Sequence, residues 1–83
     1  MMTIEEKAEV KAKELGWELV DSKKLPHPDD NYLIHTIVRV HDGQGSYATH
    51  LFNEMQGDGG AFYYGHYDIK TLDGARKDLA KRK

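Results

Sequence analysis

Histidine is the residue type in this chain best suited to chemistry near neutral pH, and there are five: His27, His35, His41, His50 and His66. A neutral imidazole can move protons or ligate a metal. With Glu54 and Tyr63, His35 and His50 make up the candidate acid–base groups. Little accompanies them that would complete an active site. The chain has no cysteine, and Ser22 and Ser46 sit among turn-forming residues rather than at a nucleophile elbow. His41, His50 and His66 fall on neighbouring strand segments. The expected register puts His66 on the opposite sheet face from the other two, and no acidic ligands cluster with them. No metal site and no cofactor are expected. The glycine turns are not phosphate loops, because no Gly-Lys-Ser/Thr follows and no helix starts there. The chain is expected not to be an enzyme.

Binding chemistry is better represented. His35, Arg39, His50, Phe52, Tyr63 and Tyr67 are expected to share one exposed sheet face and to form a partner-binding patch. Aromatic and arginine side chains anchor interfaces because they offer large contact area with few rotors. The same set could stack a base or meet a phosphate. The basic run from Arg76 to Lys83 could also reach phosphate, although such a run is more often the solvated end of a helix.

These residues depend on a sheet to position them. Asp42-Gly43-Gln44-Gly45 and Gly57-Asp58-Gly59-Gly60 divide residues 32–68 into three alternating ribbons, 32–41, 46–55 and 61–68, which read as consecutive antiparallel strands. Two-residue turns would set Val40 opposite Tyr47 and Met55 opposite Phe62. One face then collects Ile34, Val38, Leu51 and Phe62 as core, to be buried against Leu15 and Leu79. The other carries the proposed patch. Gly65 is expected opposite Phe52.

Helices are expected at both ends. Over 3–15, Thr3 and Glu6 form a capping box, Ile4, Ala8, Ala12 and Leu15 form a thin apolar stripe, and Gly16 stops the helix. Over 71–82, Thr71 is the N-cap, and Leu72, Ala75 and Leu79 make the stripe. Glu9–Lys13, Asp73–Lys77 and Asp78–Arg82 are pairs at i,i+4. Residues 17–21 read as a short strand, and the Pro26-His27-Pro28 region as a loop. The expected fold class is α+β: an antiparallel meander of three to four strands flanked by terminal helices, α-β-β-β-β-α, with both helices on one sheet face, in a single small domain over 1–83.

The first helix, Trp17-Glu18-Leu19-Val20-Asp21-Ser22, the proline–histidine loop and the strand ending Val38-Arg39-Val40-His41-Asp42-Gly43 together resemble the first half of a double-stranded-RNA-binding domain. The resemblance covers about 40 residues. That family closes with three strands and opens its second helix with a lysine cluster that grips phosphate. Here a strand is added, and the helix opens Thr71-Leu72-Asp73-Gly74.

Length and composition bound the function. The chain has 83 residues, a net charge of −2 and 31% charged residues. A chain of this size buries only ~60–65% of its unfolded surface, so its stability is modest. The near-neutral charge does not point to nucleic acid or a membrane surface. The absence of cysteine suits a reducing compartment, and no apolar run is long enough to span a bilayer, so a cytoplasmic location is expected. The reading that follows is a small non-catalytic protein that binds a protein partner by occlusion or sequestration. Inhibitors of host defence carried by phages and mobile elements share this size and class. The alternatives are an RNA- or nucleotide-binding module and a homodimeric accessory protein.

Overall fold

The computed structural model describes residues 2–25, 31–40 and 45–82. The elements run α1 (Ile4–Glu14), β1 (Trp17–Lys24), β2 (Leu33–Val40), β3 (Tyr47–Asn53), β4 (Ala61–Ile69) and α2 (Leu72–Lys81). The strands form one antiparallel sheet in the order β1-β2-β3-β4, so β1 and β4 are its edges. The expected α-β-β-β-β-α order is the observed one.

Local sequence explains both helices. The Thr3 hydroxyl accepts the Glu6 N–H at 3.1 Å, and the Thr3 N–H donates to the Glu6 carboxylate at 3.0 Å, a complete capping box. Gly16, at φ +78°, takes the left-handed position that ends α1. The Thr71 hydroxyl accepts the Gly74 N–H at 3.0 Å and starts α2. The three expected i,i+4 ion pairs form, Glu9–Lys13 at 3.6 Å, Asp73–Lys77 at 3.1 Å and Asp78–Arg82 at 3.8 Å.

The helices lie on opposite faces of the sheet, not on one. Ala8 packs with Ile34 and Phe52, and Ala12 with Val38 and Ala48. Ala75 and Leu79 pack instead with Ile37. Ile37 and Val38 are neighbours on a regular stretch of β2, so their side chains point to opposite faces. β2 is therefore buried on both sides, from Ile34 through Val38. Leu15, expected in the core, is 51% exposed, and Leu79 is buried on the other side from Ile34, Val38 and Phe62.

Register accounts for the redistribution. Ile34 faces Phe52, Thr36 faces His50 and Val38 faces Ala48. This is one residue away from the expected Val40–Tyr47 pairing, and a one-residue slip inverts every side chain of β3. Phe52, His50 and Ala48 thus point toward α1, while Leu51, Thr49 and Tyr47 point toward α2. Between β3 and β4 the whole stretch from Glu54 to Gly60 serves as the connection, with Gly57, Gly59 and Gly60 at positive φ. Phe62 pairs with Phe52 rather than facing Met55. This second slip is also odd in number, so Phe62 returns to the face of Ile34 and Val38, as expected. Gly60, not Gly65, lies against Phe52: a Cβ built there would come within 2.3 Å of the ring.

The candidate functional site

β4 distributes the aromatic side chains. Tyr63 pairs with Leu51 and His66 with Thr49, so both lie on the α2 side. The spacing from 63 to 66 is odd, so a bulge must intervene. Tyr64 supplies it at φ +53°, and Asp68 stands at φ +61° further on. A left-handed conformation costs an L-residue about 1 kcal/mol or more, and such outliers gather where function or a local constraint holds them. The constraint is visible. The Arg82 guanidinium donates to the Tyr64 carbonyl at 2.6 Å and to the Thr49 carbonyl at 3.1 Å. Arg82 is itself fixed beside Asp78, whose carboxylate accepts from the Thr49 hydroxyl and meets His66 Nδ1 at 2.9 Å. Burial opposes ionisation of Asp78, but the bonds from Thr49 and His66 and the charge of Arg82 prevail and hold its carboxyl below the usual range. The cluster joins Thr, Asp and His, yet Asp78 stands between the other two, so the histidine does not activate the hydroxyl. Its work is to pin the last turn of α2 to β3 and β4.

The six residues of the expected patch do not come together. His50 and Phe52 are fully buried on the α1 face, because β3 is inverted relative to the expected register. Tyr67 also lies on that face: it crosses Gly65, where a Cβ would meet its ring at 2.5 Å, and its hydroxyl bonds His50 Nε2 at 2.8 Å. His50 stacks on Trp17 at 5.1 Å between centroids and also contacts Phe62. Its Nδ1 makes no hydrogen bond among the described residues. Burial, then the charges of Arg82 and His66, push its pKa down to about 4. His50 is a neutral core residue. His35, Arg39 and Tyr63 lie on the α2 side. His35 is buried. Arg39 is exposed at the far end of β2, its guanidinium laid across Gly45. Only Tyr63 remains at an open part of that face. His41 and His27 lie outside the described residues. Among the described residues, no group of three metal-binding side chains converges.

What stays open follows from lengths. At ~1.5 Å per residue, the ten residues of α2 span about 15 Å. At ~3.3 Å per residue, the eight of β2 span about 26 Å. α2 covers Ile37, Tyr47 and Ile69 and ends where Lys23 donates to the Leu79 and Arg82 carbonyls at 3.4 and 3.1 Å. Beyond that end neither helix covers the sheet. There Tyr32, Leu33, Leu51, Asn53, Tyr63 and Tyr64, with Gln56, line a groove of about 320 Å³. Tyr63 is 40% and Tyr64 78% exposed, with ring centroids 6.5 Å apart. Among the described residues, none that lines the groove is charged. The Asn53 side-chain oxygen accepts the Met55 N–H at 2.8 Å, which fixes the side-chain amide.

Compared with protein families, with curated proteins and with solved structures, the chain matches none. Four strands also separate it from the three-stranded double-stranded-RNA-binding domain that its first half resembles. Sequence reasoning missed most of the groove, since the expected register puts Leu51 in the core and, of the lining residues, only Tyr63 in the expected patch. The available signal was the short stripe Leu72/Ala75/Leu79, too short to cover the strands beside it.

Proposed function

We propose that this chain is a non-catalytic protein-binding module that acts by occupying a partner, and that the groove beyond the end of α2 is its contact surface. The observation that carries this reading is an open, tyrosine-lined groove with no charged residue among its described lining, which includes Tyr64, held at positive φ by Arg82. Tyrosine gives contact area at low entropic cost, and the Arg82 bond to the Tyr64 carbonyl fixes the backbone that presents Tyr64. Phosphate recognition needs cations, and none lines the groove among the described residues, which favours a protein partner over a nucleic acid. No helix among the described residues is long and apolar enough to cross a membrane.

The test begins with capture from cells of the source organism using wild-type protein, followed by titration of the captured partner against wild type, Tyr63→Ala/Tyr64→Ala and Lys77→Ala. Lys77 lies on the exposed side of α2 and is the control. Two exposed anchors of this type should weaken binding at least ~30-fold, about 2 kcal/mol, while Lys77→Ala leaves it unchanged. Equal affinity of all three would remove the groove from the binding surface.

A further inference from the structure

The chemistry of the groove narrows the kind of segment it takes. Among the described residues its lining carries no charge and selects neither an acidic nor a basic segment. Its polar groups are the hydroxyls of Tyr32, Tyr63 and Tyr64 and the amides of Asn53 and Gln56. The Asn53 oxygen already accepts one N–H. The three hydroxyls and the two amide nitrogens can all donate, and so can meet a ligand rich in acceptors. A proline-rich segment is that ligand: each proline lacks an N–H, its carbonyls stand free, and its rings pack on aromatic faces. In the polyproline II conformation it is already extended, so little ordering cost opposes binding.

Strand addition is the competing mode for an extended segment. β4 is the edge next to the groove, but Tyr64 and Asp68 at positive φ interrupt it. An edge broken by bulges offers no long straight ladder to a partner strand. Resting on the groove as the contact surface, we infer that its occupant is an uncharged, proline-rich segment of a partner protein bound as a polyproline II helix.

The experiment is a titration of isotopically labelled protein, followed by amide chemical shifts, with an acetylated and amidated decaproline peptide. A Val/Thr-alternating peptide of equal length and an oligouridylate serve as comparisons. Decaproline should shift Leu51, Asn53, Tyr63 and Tyr64, bind at least ~10-fold tighter than the Val/Thr peptide, and lose its effect in Tyr63→Ala and Tyr64→Ala. Both variants alter exposed side chains, and their spectra report that the fold is kept. Shifts at the same residues from the Val/Thr peptide alone would overturn the polyproline mode and leave the groove as a strand-binding surface. Shifts from oligouridylate alone would replace the protein partner by single-stranded nucleic acid. Silence from all three would overturn the inference, while the fate of the groove itself would still be decided by the partner titration of wild type against Tyr63→Ala/Tyr64→Ala.

Discussion

Acidification should destabilise this protein through a single buried imidazole. His50 has no exposed surface, stacks on Trp17 and receives one hydrogen bond contact, from Tyr67. Its pKa falls from the ordinary 6.5 to about 4. Because the folded value lies below the unfolded one, the unfolded chain takes the proton first. The stability contributed by neutral His50 is complete above about pH 6.5 and is lost as pH falls toward 4. At ~1.4 kcal/mol per unit the shift corresponds to about 3 kcal/mol, and nearer 2 once water reaching past the exposed Tyr67 is allowed for. Against the ~5 kcal/mol expected of so small a fold, that is a large fraction. Urea unfolding at pH 7.5, 6.5, 5.5 and 4.5 measures it, with His50→Gln as the comparison. The wild type should lose about 2–3 kcal/mol across the series, and the variant, though weaker at pH 7.5, should lose much less. Parallel losses in the two proteins would refute the reasoning and shift the acid sensitivity to other groups.

Three further outcomes follow from the packing. Phe52→Ala should cost about 3–5 kcal/mol in denaturant unfolding, because the ring is fully buried against Ile34, Ala8 and Phe62; a loss below 1 kcal/mol would contradict its place in the core. Gly60→Ala should cost about 2–4 kcal/mol, since a Cβ would come within 2.3 Å of Phe52 at a φ of +101°, whereas Gly59→Ala, with open space around it, should cost only the backbone strain. Tyr64→Gly should raise stability by up to about 1 kcal/mol by relieving the left-handed tyrosine while weakening partner binding; unchanged binding would show that the strain serves the fold alone.

The parts of the fold written in local chemistry were legible in the sequence. Thr3 with Glu6 and Thr71 mark the helix starts, Gly16 marks a stop, and the alternating ribbons give the strands. Register was not legible, because it depends on how many residues a glycine-rich connection consumes. The stretch from Glu54 to Gly60 uses more than a tight turn does. One residue of slip moved His50 and Phe52 from an expected open face into the core beneath α1. The second face could have been anticipated from β2 itself. Leu33, Ile34, Ile37 and Val38 place apolar side chains on both parities, the pattern of a strand covered on both sides. The bulge at Tyr64 could not, since nothing in a tyrosine's type announces a left-handed backbone. It arises from a tertiary contact, the reach of Arg82 to the Tyr64 carbonyl. Tyr63 is the one member of the expected patch that the structure leaves at the groove.

The central claim is that partner contact occurs at the bare end of the sheet beyond α2. A photo-activatable phenylalanine analogue placed at position 64, in the groove, and separately at position 10, on the exposed side of α1 where Val10 is 48% exposed, tests this inside the source cells. The account predicts one discrete adduct from position 64, absent from position 10 and abolished when Tyr63→Ala is added. Adducts of the same partner from position 10, or an adduct from position 64 that survives Tyr63→Ala unchanged, would contradict it.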